Sequence, residues 1–259
     1  MICALYSDLH LEFNNPFAIP KDTQKAADIL ILAGDIISFE YPEALLNLVK
    51  TWDKPILFVA GNHEYYNNRE SIADSNQKFR DFIYKHLPQI YFLDNESITI
   101  EGVTFFGGTM WTDFQKGNPV IMQRIQGSIN DFKKIQASAT YKMSVHDQYN
   151  LYWVFRDKLS SFLQSSDKNK PVVVITHYSP IINPDSIFPV SDFTSAFCAT
   201  GIQDLFYELP TNSLWFYGHT HESDYRSLGD QLIIVSNPYG YHLHQVNKGF
   251  DPKGVLITI

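Results

Sequence analysis

The chain has 259 residues, 44% hydrophobic and 19% charged, with no low-complexity tract; this is an ordinary globular composition, enough for one large α/β domain or two small ones. A formal net charge of −8, from 20 basic against 28 acidic residues, argues against a broad electrostatic grip on nucleic acid or anionic membrane, although a bound metal can reverse the field locally for a small anionic substrate. Cys3 and Cys198 have no paired spacing, the N-terminal residues lack a signal peptide's apolar core, and no apolar run approaches the roughly 20 residues that span a bilayer, so the expectation is a cytoplasmic protein without disulfides.

In chain order, Ile2–Tyr6 reads as a strand that runs into Asp8-Leu9-His10, where extended backbone would point both polar side chains to one face. Residues 12 to 27 read as loop. Asp28–Ala33 is a buried strand ending in Gly34-Asp35, Pro42–Lys50 is a helix with proline in its first turn, and Pro55–Ala60 is a strand that breaks into Gly61-Asn62-His63-Glu64. Arg69–Leu87 carries an apolar stripe at helical spacing and stops at Pro88. Ile90–Leu93, Ser97–Ile100 and Val103–Phe106 read as short strands with a tight Glu101-Gly102 turn, so the sheet arrangement is expected to be mixed. Residues 115–165 break the alternation and look mainly helical, with segments near Ile121–Ile125 and Ser144–Leu163; the expectation is one domain over 1–259 with an insertion or lid here. Pro171–Thr176 is a strong strand ending in His177. After a loop over 181–192, Thr194–Leu209 reads as a helix weakened by Gly201. Ser213–Tyr217 is a strand ending in Gly218-His219-Thr220-His221, and Tyr225–Leu228, Leu232–Val235 and Val255–Ile259 complete the strands.

One pattern recurs. Five strand exits supply only metal-competent groups: Asp8 with His10, Asp35, Asn62 with His63, His177, and His219 with His221. Any one of these reads equally well as a surface or turn residue; five in succession do not. The set is large enough for two divalent ions, and a carboxylate such as Asp35 can bridge cations roughly 3.5–4 Å apart. His86, His146, His242 and His244 read as surface or capping residues, while Trp111, Asn130, Asp131, Tyr178 and Tyr239 are candidates either for the pocket lining or for packing.

These blocks resemble, in order, the D-x-H, G-D, G-N-H-[DE], H and G-H-x-H motifs of the calcineurin-like metallophosphoesterase superfamily, and His177-Tyr-Ser-Pro180 is closest to its small bacterial branch. The resemblance implies a four-layer α/β/β/α sandwich of two mixed β-sheets flanked by helices. It also implies a first metal at Asp8, His10 and His221, a second at Asn62, His177 and His219, Asp35 between them, and His63 as a catalytic histidine that binds no metal. The implied ions are two of Mn, Fe, Zn or Ni, and the implied nucleophile is a metal-bridging hydroxide. The second block reads Gly34-Asp-Ile-Ile-Ser-Phe-Glu40 and lacks the acid and arginine of the protein phosphatases, which argues against that activity and leaves the acidic partner of His63 unidentified, with Glu64 only a candidate. The expected function is a phosphodiesterase acting on a small or nucleotide-like phosphoester, with a phosphomonoesterase as runner-up. The rivals are a nuclease, which the acidic charge disfavours, and a catalytically silent protein-binding scaffold, which would not need to keep all eight positions.

Overall fold

The computed structural model describes residues 1–259 apart from Asn68, Pro184, Phe188, Pro189 and the side chain of Asp192. Three of those positions fall in the expected loop 181–192, and that part of the expectation lies outside the described residues. Thirteen strands are described: β1 Ile2–Tyr6, β2 Ile29–Ala33, β3 Ile56–Val59, β4 Ile90–Phe92, β5 Glu96–Ile100, β6 Val103–Gly108, β7 Val172–Thr176, β8 Ser213–Tyr217, β9 Asp224–Leu228, β10 Leu232–Ser236, β11 Gly240–Tyr241, β12 Gln245–Val246 and β13 Val255–Thr258. They form a five-stranded sheet ordered β13-β1-β2-β3-β4, a six-stranded sheet ordered β5-β6-β7-β8-β10-β9, and the small hairpin β11-β12. Both large sheets are mixed as expected: β1 to β4 and β6, β7, β8 and β10 run parallel, and β13, β5 and β9 add antiparallel edges.

The strands of the sheet centres are apolar on both faces because each face is covered. Alternate residues, among them Leu5, Ile31, Val59, Phe105, Ile175 and Phe216, form a core between the two sheets. The intervening residues, such as Phe58 and Leu32 in one sheet and Val174 and Trp215 in the other, lie in a second core with the helices. Glu43–Val49 and Ile72–His86 bring Leu45, Val49, Phe79 and Ile83 to it, and Val145–Ser165 brings Tyr152, Phe155, Leu159 and Leu163. Two mixed sheets between helices give the expected sandwich. Gly107 of β6 shows how closely the sheets approach, since a Cβ there would meet Val59 Cγ1 of the other sheet at 2.9 Å.

Two local expectations change. Residues 12–27 contain a 3₁₀ turn, Leu11–Phe13, and a helix, Lys21–Ala26, which starts after Pro20. The continuous helix over Thr194–Leu209 is instead two 3₁₀ segments, Asp192–Ala196 and Thr200–Glu208. The break has a physical cause: the Gly201 N–H donates to Asp113 Oδ2, and a Cβ on Gly201 would lie 2.6 Å from that oxygen. Backbone hydrogen bonding is thereby diverted to a buried carboxylate at the point where an α-helix would need to continue. The stretch 115–165 is mainly helical, as Pro119–Gln126, Asp131–Lys134 and Val145–Ser165, the last opened by a reciprocal Ser144–Asp147 cap. No helix among the described residues is long and apolar enough to cross a membrane.

Candidate metal centre

Parallel strands from both sheets end at the same edge, which is where open α/β folds gather polar groups. The turns after β1, β2, β3, β7 and β8 bring all eight expected residues together. Asp8, His10 and His221 each offer a ligand atom, and these atoms lie within 4.8 Å of one another; the same holds for Asp35, His177 and His219. Between the groups, His10 Nε2 is 3.8 Å from Asp35 Oδ2, and His177 Nε2 is 3.3 Å from Asp35 Oδ1. Asn62 Oδ1 is 3.2 Å from the same His177 nitrogen.

The local backbone differs from the extended form expected at Asp8 and His10. Both have positive φ (53° and 46°), as do Asp35 (54°), His219 (70°) and His221 (54°). Left-handed conformations are costly for residues with a Cβ and persist where surrounding contacts over-determine them. Those contacts are visible here. The Asp8 N–H donates to Gly34 O and the His10 N–H to Asp35 O, while the His219 N–H donates to the Asp8 carboxylate at 3.0 Å. Glu64, a candidate acidic partner of His63, is engaged elsewhere. Glu64 is fully buried, and its carboxylate accepts the N–H groups of Asp35, Ile36, Ile37 and Gly61 at 2.7–3.2 Å, tying the exit of β2 to that of β3. Burial and the neighbouring Asp35 push its carboxyl up to about 8, against the pull of those donors.

The acidic partner of His63 is Glu12, which the sequence reading left within a loop. One oxygen of Glu12 reaches both His63 Nδ1 (3.1 Å) and His10 Nδ1 (3.2 Å). His63 Nε2 contacts the Tyr241 hydroxyl at 3.1 Å, and Tyr241 stacks on His10 with ring centroids 4.5 Å apart. Burial lowers the His63 pKa, but the charges of Asp35 and then Glu12 outweigh it, so the net direction is upward. Although His63 also lies near His10 and Asp35, both its ring nitrogens are engaged elsewhere. Tyr241 arrives through the segment before the small hairpin, because Tyr239 and Gly240 donate N–H bonds to Ser7 O and Asp8 O.

Asp131, one of the pocket candidates, has a definite place. Its Oδ1 accepts from Tyr66 OH (2.6 Å) and Asn62 Nδ2 (2.9 Å), and its Oδ2 from Tyr178 OH (3.0 Å) and Gln148 Nε2 (3.1 Å). This fixes the Asn62 amide with nitrogen toward Asp131 and oxygen toward His177. Trp111 packs between Tyr65 and Tyr178, Tyr239 binds His242, and His86 and His146 are exposed.

The donor set fits divalent cations. Asp8 is held below the usual carboxylate range and Asp35 well below it; burial opposes both shifts, and they are driven chiefly by His221 for Asp8 and His177 for Asp35. Both carboxylates are buried, and their ion-pair partners among the described residues are histidines only. His219 is kept neutral by burial and by His177, its pKa lowered to about 3, and its buried Nε2 has no hydrogen-bond partner among the described residues. Two buried carboxylates facing histidine nitrogens, with no lysine or arginine on them, call for a metal charge.

Comparison with known proteins places this geometry. The chain is 29% identical to the uncharacterized protein L509 of Acanthamoeba polyphaga mimivirus over 96% of its own length and 94% of that protein's. Its fold matches phosphopantetheinyl hydrolase (PptH) from Mycobacterium tuberculosis with a TM-score of 0.67 at 17% identity, covering 92% of this chain and 89% of the other. A dimetal phosphatase from Danio rerio matches with a TM-score of 0.51 at 13% identity, over 91% and 86%. The family model of the calcineurin-like phosphoesterases spans residues 3–223, the stretch that holds every metal-competent strand exit described above, and the chain belongs to that family of metal-dependent phosphoester hydrolases.

Proposed function

We propose that the enzyme is a dinuclear phosphodiesterase acting on a small substrate, with Asp8, His10 and His221 holding one divalent ion, Asn62, His177 and His219 a second, and Asp35 shared. The observation that carries this reading is the pair of ligand groups, Asp8/His10/His221 and Asp35/His177/His219, each with two buried members, one half-buried histidine and ligand atoms within 4.8 Å of one another. When bound, divalent ions supply an activated water at neutral pH and draw charge from the phosphoryl oxygens. The chain's own residues do the rest. Asp131 orients the Asn62 amide, and the Glu64 nest fixes the β2 and β3 exits on which Asp35 and Asn62 sit. His63 faces Glu12 through Nδ1, and the charges of Asp35 and Glu12 favour its protonated form, whose Nε2 proton could pass to the leaving oxygen.

Asp8 and Asp35 would offset only about half of the charge of two divalent ions, so the loaded site would be cationic and would favour an anionic phosphoester. In this reading the whole chain is one metallophosphoesterase domain, and its mainly helical insertion at 115–165 covers the centre through Asn130 and Asp131. A monoesterase is the second reading. Purified protein loaded with Mn, Fe, Zn or Ni in turn and offered matched mono- and diesters decides between them. Activity on diesters with close to two ions per chain is the expected result. Full activity with one ion or fewer would sink the dinuclear assignment, and a monoester preference would sink the phosphodiesterase.

A further inference from the structure

The cavity that opens from the cluster has a volume of about 630 Å³. Its inner end is formed by Asp35, Asn62, His63 and the two histidines of the last motif. Beyond them the wall turns apolar, with Ile129, Ile182, Val190, Phe193 and Phe197. Val190 is 67% exposed and Phe193 46%, a solvent-facing position that large apolar side chains take up where something covers them in use. No lysine or arginine lines the cavity among the described residues, and its charged lining residues other than the metal-competent groups, Asp131 and Glu222, are acidic. Two cations stand behind lining residues without lining the cavity themselves. Arg226 donates to Asn183, Asp185 and Asp224, and Lys134 lies over the Tyr66 ring at 5.0 Å.

We infer that the substrate is a phosphodiester whose second arm is uncharged and largely apolar, seated on the Ile129–Phe197 wall, and that polyphosphates, oligonucleotides and other anionic arms are excluded; this rests on the hydrolase reading above. The argument is electrostatic and steric together. A phosphate at the cluster has its charge met there, whereas a second anion in the cavity would lose water beside Asp131 and Glu222 with no cation to receive it. A neutral alkyl or aryl arm loses little water of its own and removes the aliphatic and phenylalanine side chains from contact with water. The cavity therefore selects by rejecting charge as much as by accepting apolar area.

The test uses the metal-loaded enzyme and three p-nitrophenyl phosphodiesters that share a leaving group and differ in the second arm: methyl, hexyl and 5-carboxypentyl. The expected order in kcat/KM is hexyl above methyl by about 10–100-fold, with carboxypentyl at or below methyl. Phe193→Ala is expected to shrink the hexyl-to-methyl ratio, and Val190→Lys to raise carboxypentyl relative to hexyl; both positions are exposed enough to accept the change without unfolding. A hexyl-to-methyl ratio near one, or a preference for the carboxylate arm, with the methyl diester cleaved, overturns the apolar-arm assignment and leaves the hydrolase reading standing. Failure to cleave any of the three under every metal overturns both.

Discussion

The metal-competent cluster and the cavity wall beside it are built in opposite ways. The side chains of the cluster follow strand exits and are buried, except His219 and His221, which are half-buried, and cluster members hold the turns they stand on: Glu64 holds the β2 and β3 turns, Asp8 holds the His219 N–H, and Asp35 holds the His63 N–H. The wall comes from helical turns and loops, Ile129 before Asp131–Lys134 and Val190 to Phe197 around a 3₁₀ segment, and much of it faces solvent. A site that must hold charge at fixed positions needs this mutual bracing, because a displaced ligand leaves a buried charge unpaired. A surface that only has to exclude water and charge can be assembled from exposed segments with no motif. Chemistry and substrate choice are thus separable here, and each can be perturbed alone.

The largest effect is expected from the shared carboxylate. Asp35→Asn removes the group that the proposed assignment shares between the two ions, so hydrolysis should fall below detection and metal content below one ion per chain by elemental analysis, while chelation of the parent enzyme should abolish its activity. An Asn variant that keeps two ions and its rate would show that Asp35 is not shared. Glu64→Ala attacks the bracing instead. Four buried N–H groups lose their acceptor, and a loss of about 3–5 kcal/mol is expected in denaturant unfolding, read from the midpoint at constant slope. A shift under about 1 kcal/mol would mean that the nest is not what fixes the turns.

His63→Ala comes next, with metals retained and a loss of about 10²–10⁴ on an alkyl ester. A nitrophenyl ester, whose leaving group departs without a proton, should lose much less. Equal losses on both would reject the proton-donor role and leave His63 as a binder of phosphoryl oxygens. Asp131→Asn probes the seam between the two regions, since Asp131 stands in the mainly helical stretch 115–165 but orients Asn62. A neutral amide offers one acceptor oxygen where four donors now converge, so Asn62 should lose its fixed orientation and metal affinity should drop about 10–100-fold. Activity recovered at high metal concentration would mark orientation; a loss that metal does not recover would point to direct contact with substrate.

The same difference explains what the sequence disclosed. Asp8, His10, Asp35, Asn62, His63, His177, His219 and His221 were legible because each follows an apolar strand or a strand-ending glycine, and a polar ligand there breaks a buried pattern. Gly61 carries part of that signal for a local reason: a Cβ there would collide with Asp35 Oδ1. The two-sheet sandwich was legible only through the family motifs, since strand periodicity does not say which strands pair. Glu12 was hidden because it sits in a single 3₁₀ turn within what reads as loop, and its role depends on two histidines that are 2 and 51 residues away along the chain. Tyr241 was hidden for a similar reason, 178 residues from the His63 it meets. Long-range polar contacts leave no periodicity to read.

Glu12 also gives the finest test of the division between holding metal and moving a proton. One carboxylate oxygen serves His10, assigned to a metal, and His63, assigned to the leaving group, while the other oxygen is buried without a partner. Glu12→Gln keeps an acceptor oxygen at the same place and removes the charge, so both imidazoles can stay oriented and only the electrostatic support of the His63 proton is lost. The expected result is unchanged metal content and a loss of about 10-fold on an alkyl ester, at the low end of what proton transfer contributes. The nitrophenyl ester should be almost unaffected. Glu12→Ala, which removes orientation as well, should lose more on the alkyl ester and some metal affinity through His10. If Gln and Ala are equally impaired on both esters, with metal lost in each, Glu12 serves only the ion at His10 and the proton relay through His63 must have another support.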